Sequence, residues 1–264
     1  MLELAAALGL MLGTWAILRG GFHGPRGFQV AGFDINSAGL GVLAVGAAMW
    51  FFGVLYGVAL MVAVVIHEFG HVAAFRICGH ADARFRLIPL FGGVAISNQQ
   101  PASVDKAFFI TLMGPAIGLA PMALCFALSD LVVLRDTDFA YQVANYLYIQ
   151  AMVFGSLNFF NLLPLWPLDG GKITQRLVYT FFPGATRITS IAMSVVAVAL
   201  CVMTRQYLLL LFVLMGWQGL MQSERLLEAQ RPMPMRTALL ALAAYLATAA
   251  AFFAGGANLL SWFF

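Results

Sequence analysis

Two histidines, a glutamate and a distant aspartate are the side chains best able to do chemistry in this chain. His67-Glu68-Phe69-Gly70-His71 is an H-E-x-x-H pattern, and residues four apart share one face of a helix, so both imidazoles can grip a single metal ion. Imidazole nitrogen suits zinc, and a catalytic zinc usually has three protein ligands and one open position taken by water. Glu68, next to the first ligand, is placed to take a proton from that water. The alternative is a chance pentapeptide with satisfied core histidines. Its setting weighs against this, because ionisable groups within an apolar helix are costly unless they face a polar cavity or an ion.

Two histidines leave a metal short of a third ligand. Asp169 is the candidate, in Asn161-Leu162-Leu163-Pro164-Leu165-Trp166-Pro167-Leu168-Asp169-Gly170-Gly171. Its prolines remove helix hydrogen bonds and its glycines allow close backbone approach. Irregular backbone at membrane depth is tolerated only where it is buried in protein or lines a cavity. The other reading of Asp169 is a helix N-cap for residues 170–179.

The elements that must carry these residues are membrane helices. The chain has 264 residues, of which 62% are hydrophobic and only 9% charged, whereas a soluble domain carries about a quarter charged residues. Soluble, disordered and nucleic-acid-binding classes are excluded, and the net charge of +3 is spread too thinly to form a basic patch. Cys78, Cys125 and Cys201 are odd in number and far apart, and are expected to be packing residues. The expected fold is an all-α polytopic membrane protein with about 6–7 transmembrane helices and a small β-hairpin beside the active site.

Residues 1–18 are read as a retained membrane helix, and 20–37 as a glycine-rich loop with a possible short strand. The uncharged run from Leu40 to Ile66 continues in helical pattern to Arg76. As one helix it would reach about 55 Å, against a hydrocarbon core of about 30 Å. One long bent element is favoured because no polar turn divides it, with Phe52-Gly53 as the place for a break. Further spans are expected at 107–128, 141–163, 185–204, 207–221 and 238–253. Short β-like runs flank a glycine pair in Arg84 to Ser97. His23 and His80 fall in loops and are expected to be solvated. Asn145, Gln150, Asn158 and Gln218 read as helix-packing hydrogen-bonders.

With one long element, the side holding Arg76 and Lys172 carries ten Lys and Arg against four on the other. With two spans Arg19 and Arg26 change sides and the tally becomes twelve to two. Either way the positive-inside rule makes the side of the hairpin and Asp169 cytoplasmic. The organisation read is an N-terminal helix, loop and start of the second element (1–53), a catalytic core (54–182) and C-terminal membrane helices (183–264).

These motifs, with Gly114-Pro115 between them, resemble those of the site-2 proteases, intramembrane zinc metalloproteases, over roughly Val54 to Tyr179. The resemblance implies that His67, His71 and Asp169 bind zinc and that Glu68 activates water for attack on a peptide bond. It also implies that Asn161 contacts the substrate, and that the Phe91–Ile96 hairpin, with Gly92, Gly93 and Val94, pairs with an unwound substrate segment. An extended peptide can add to an exposed strand edge, which gives that pairing a physical basis; Gly92 and Gly93 read equally well as only the turn. Many members of the family have a polar residue where this chain has Gly118, and many carry a peptide-binding or nucleotide-sensing domain that is not expected here.

The function expected is therefore zinc metalloendopeptidase cleavage of a transmembrane protein substrate, in or near its span. The chain would be multi-pass, bathed in lipid, with its active site open toward the cytoplasm and a bacterial inner membrane as its setting. Substrate, trigger and oligomeric state are not legible. The rival is a catalytically silent zinc-binding scaffold or ion transporter. A di-iron lipid oxidase would need many more histidines than four.

Overall fold

A computed structural model describes residues 2–22, 35–88 and 92–261. The described residues form α1 (Leu2–Phe22), α2 (Ile35–Phe52), α3 (Val54–Ile77), β1 (Arg84–Ile88), β2 (Gly92–Ile96), α4 (Val104–Ala116), α5 (Leu119–Val133), α6 (Asp138–Asn161), α7 (Asp169–Phe181), α8 (Thr186–Met203), α9 (Tyr207–Ala229) and α10 (Met235–Leu260). Among the described residues, five helical stretches are long and apolar enough to cross a membrane: Glu3–Phe22, Val54–Ile77, Val104–Val133, Pro183–Met203 and Met235–Leu260. The expected polytopic helical fold with one small hairpin is observed. His23, the loop from 23 to 34 and Phe91 lie outside the described residues.

The favoured single long element is corrected. Gly53 sits at φ 79°, a left-handed conformation that glycine alone adopts without strain, and the chain reverses there into two helices. Ala44 and Ala48 of α2 pack on Met61 of α3. Gly57 lies so close to α2 that a Cβ would come 2.6 Å from the Cα of Met49. No polar turn is needed, because one glycine with positive φ suffices to end a helix in apolar surroundings. The C-terminal ends of α1 and α3 also meet: Phe22 stacks on Phe69 at 5.6 Å, and the Arg76 guanidinium donates to the Gly21 carbonyl at 3.4 Å.

The chain divides into two compact units. The first comprises Met1–Gln99, Met113–Phe159 and Thr248–Phe264. Within it β1 and β2 pair antiparallel from Arg84↔Ile96 to Ile88↔Gly92. Below the strands, the His80 ring nitrogen Nδ1 lies 3.0 Å from Ser97 Oγ. The Ser97 hydroxyl in turn donates to Asp82 at 3.0 Å, and the Asn98 N–H donates to Asp82 at 2.6 Å. His80 is thus not solvated, as its loop position suggested. The turn after α3 folds back, its N–H reaching the Phe75 carbonyl at 3.0 Å, and its ring packs edge-on against Phe75 at 5.2 Å. It is 4% exposed.

The second unit comprises Gln100–Leu112 and Phe160–Ala247. Gln175 on α7 bolts it together, donating to Ser190 on α8 at 3.0 Å and Ser223 on α9 at 2.9 Å. Cys78, Cys125 and Cys201 form no disulfide.

Candidate metal centre

The H-E-x-x-H residues lie in the second half of α3, where His67, Glu68, Gly70 and His71 are all buried. Helical spacing turns the two imidazoles toward each other, with their Nε2 atoms 3.2 Å apart. Two nitrogens each about 2.0–2.1 Å from a tetrahedral ion lie about 3.3 Å apart, so the pair fits a zinc-sized ion without rearrangement. Gly70, between them, packs against the end of α4 at Met113 and against Ile117 just beyond it, where a Cβ would come 2.8 Å from Ile117 Cγ2.

Each histidine is set by a neighbour. Gly114 of α4 faces the His71 imidazole so closely that a Cβ there would lie 2.7 Å from Cδ2 and nearer still to two other ring atoms. This accounts physically for the glycine of Gly114-Pro115. His67 Nδ1 lies 2.8 Å from Asn158 Oδ1. Asn158 was read from sequence as a helix-packing amide, and its role beside His67 went unseen. The available signal was a polar residue in the otherwise apolar face of α6, one turn before Asn161.

Glu68 is covered by the hairpin. A Cβ on Gly93 would come 2.9 Å from the Glu68 Cδ and 3.1 Å from Oε1. Gly93 pairs with Leu87 and Gly92 with Ile88 inside the ladder, so neither belongs to the turn. Absence of a side chain at Gly93 is what lets β2 approach the carboxylate. Val94, next along, is 38% exposed.

In the second unit residues 162–168 form a tight, non-helical link between α6 and α7, with a cis Trp166-Pro167 peptide. The Leu163 and Leu165 carbonyls are met within the link, by the N–H groups of Leu165 and Leu168, and the Leu162 carbonyl from outside it, as buried backbone requires. Tyr245 on α10 donates to the Leu162 carbonyl at 2.6 Å. The Trp166 indole donates to the Gly216 carbonyl of α9 at 2.9 Å, which ties the link to that helix. Gly170 lies against the Leu162 carbonyl, where a Cβ would clash with it, and Gly171 lies against Leu165, whose carbonyl carbon a Cβ would meet at 2.6 Å.

Asp169 is buried at the first turn of α7, while Leu168 holds the cap position. A carboxylate there is favoured by the helix dipole. Lys172 donates to it at 3.1 Å. Arg176 donates to Thr111 of α4 at 3.1 Å and is half-buried. Asn161, the last residue of α6, is half-buried too. His67 and His71 in the first unit and Asp169 in the second are each buried and each of a type that ligates metal ions. Two imidazoles and one carboxylate form a donor set that zinc accepts.

Comparison with known proteins agrees with this chemistry. A zinc metalloprotease of Methanocaldococcus jannaschii is 26% identical over 187 residues, covering 68% of this chain and 52% of that protein. The putative zinc metalloprotease Rip3 of Mycobacterium tuberculosis is 34% identical over 131 residues, 49% of this chain and 32% of that one. Stage IV sporulation protein FB of Bacillus subtilis is 28% identical over 116 residues, 43% of this chain and 37% of its own length. The chain thus spans about half or less of the curated relatives it matches. A solved structure, the site-2 protease from Methanocaldococcus jannaschii, aligns with a TM-score of 0.41 and 19% identity over 72% of this chain and 88% of that one. The model of peptidase family M50 matches residues 55–135 and 127–203, more than half of the chain and both motif segments. The site-2 protease resemblance is thereby borne out, and the chain belongs to peptidase family M50.

Proposed function

We propose that this protein is an intramembrane zinc metalloprotease that hydrolyses a peptide bond within or near a transmembrane segment of a membrane protein. The observation that carries the reading is the facing Nε2 pair of His67 and His71 at 3.2 Å, with the Glu68 carboxylate beside it on the same buried helix. His67, His71 and Asp169 are the ligands, in keeping with relatives named zinc metalloproteases. Bound there, zinc supplies Lewis-acid polarisation of the scissile carbonyl and makes a water acidic enough to attack at neutral pH.

The remaining steps belong to the chain. Glu68 takes the proton from the attacking water and passes it to the leaving amine. Its burial keeps bulk water from competing for that proton. Among the described residues β2 pairs only with β1 in the two-stranded sheet, so its second edge can accept an extended substrate through Gly92, Gly93 and Val94. A helical substrate must unwind before its carbonyl is reachable, and an added strand is a way to hold it unwound. Asn161 contacts the substrate beside the reacting group. The meeting of Gly21 with the C-terminal half of α3 supports reading Arg19 on the same side as Arg76. That is the twelve-to-two arrangement, and the site opens toward the cytoplasm.

The test compares membrane-protein fragments in cells carrying the native chain or Glu68→Gln at matched protein levels, with zinc content measured on both proteins. The expected result is a set of short cytoplasmic fragments of a single-span protein that vanish in the variant while zinc is retained. Unchanged fragments with zinc bound would favour a silent zinc-binding scaffold or transporter.

A further inference from the structure

Asn158 is completely buried, at 0% exposure, so each polar atom of its amide needs a partner. Its Nδ2 donates to the Phe154 carbonyl, one turn back on α6, at 2.9 Å. A carbonyl can only accept, so the amide cannot be flipped, and Oδ1 must be the atom facing His67 Nδ1 at 2.8 Å. Oδ1 in turn can only accept, so His67 must carry its proton on Nδ1. In the neutral ring, Nε2 then bears the lone pair, and it is Nε2 that lies 3.2 Å from Nε2 of His71. Gly118 completes the arrangement from the opposite side: a Cβ there would come 2.6 Å from Asn158 Nδ2 and push the amide out of its place.

We propose that Asn158 is a positioning residue for His67, holding its ring as the Nδ1–H tautomer with Nε2 aimed at the metal, and that Gly118 exists to seat it. This rests on the reading of His67 as a metal ligand. An outer partner that orients a ligating histidine typically contributes 10- to 100-fold in metal affinity. Unlike Glu68, Asn158 touches no reacting atom, so its effect runs through the metal.

The experiment measures zinc affinity of the purified full-length chain in lipid nanodiscs, by competition with a chromophoric chelator, for the native protein, His67→Ala, Asn158→Leu and Asn158→Asp. The expected result is tight binding by the native chain, none by His67→Ala, and a loss of about 10- to 100-fold in Asn158→Leu. Asn158→Asp keeps the acceptor for His67 and loses the donor to Phe154. Its expected recovery to within about threefold of native separates positioning of the ligand from a merely structural bond, which aspartate would not rescue. Native affinity in Asn158→Leu, with His67→Ala still losing zinc, overturns the proposal and leaves the metalloprotease reading standing. A native chain that takes up no zinc overturns the metalloprotease reading, and this proposal with it.

Should Asn158→Leu not fold, 15N-histidine NMR of the metal-free native chain decides, with the His67 signals assigned by their absence in His67→Ala. Protonation on Nδ1 is expected, and protonation on Nε2 overturns the proposal.

Discussion

The histidine region and the aspartate region reach burial by opposite means. In the first unit both imidazoles sit on one regular helix, four residues apart, and the neighbours α4, α6 and β2 come to them. Gly114 makes room for His71, Asn158 bonds His67, and Gly93 lets the hairpin lie over Glu68. In the second unit the carboxylate is placed by irregular backbone: prolines end α6, Gly170 and Gly171 close tightly on Leu162 and Leu165, and Tyr245 from α10 satisfies the Leu162 carbonyl. A regular element therefore fixes spacing and leaves orientation to its partners. A tight link fixes position, bonds the Leu163 and Leu165 carbonyls within itself and takes an outside donor for the Leu162 carbonyl.

That contrast can be broken at several points. The largest expected effect is at Glu68, where Glu68→Gln should retain zinc and lower turnover by about 10²- to 10⁴-fold, the contribution typical of a general base. Single-turnover cleavage of a reporter span measures it, and near-native cleavage would remove Glu68 from the mechanism. A pair of glycine variants then separates the regions. Gly114→Ala should weaken zinc binding before it weakens folding, because its Cβ meets a ring. Gly170→Ala should lower stability by about 1–3 kcal/mol, because its Cβ meets a backbone carbonyl that cannot turn aside. Zinc titration and thermal unfolding run on both variants read the distinction, and the same ratio of the two losses in each would erase it.

A finer probe is Gly93→Ala. Crowding of Glu68 without loss of a ligand should leave zinc in place and reduce turnover by about 10- to 100-fold, the cost of a small misplacement of a catalytic group. Lost zinc in that variant would mean that β2 supports the ligands rather than the base.

The smallest effect expected is one of pH at the foot of the hairpin. The Asn98 N–H, then the Ser97 hydroxyl, hold the Asp82 carboxyl below the usual carboxylate range. Because the folded value is depressed, the stabilisation is complete above the unfolded value of about 4 and is lost as pH falls through the lower folded one. Hydrogen exchange at the Asn98 amide should therefore show a pH-independent protection factor from pH 7 to 5 and decline only below about pH 4. A decline already by pH 5 would contradict the assignment to Asp82.

What could be read without coordinates was whatever is encoded locally. The i,i+4 spacing of His67 and His71 survives any packing, because the helix itself imposes it. The proline and glycine content of 161–171 announced a break in regular structure, and the composition announced lipid as the solvent. The β-like runs around Gly92 gave the hairpin its correct ends. Tertiary structure alone decided the rest. The apolar run from 40 to 66 offers Phe52-Gly53 as the place for a break, but nothing in it shows that Gly53, at φ 79°, ends one helix and starts another rather than bending one, since a glycine's conformation depends on whether the two helices it joins can pack. Asn158 looks like any membrane-helix amide until α3 brings His67 within 2.8 Å. His80 looks like a loop residue until the turn folds it under Ser97. In each case the partner is remote in sequence, and a hydrogen bond or a close approach has no periodicity from which it could be read.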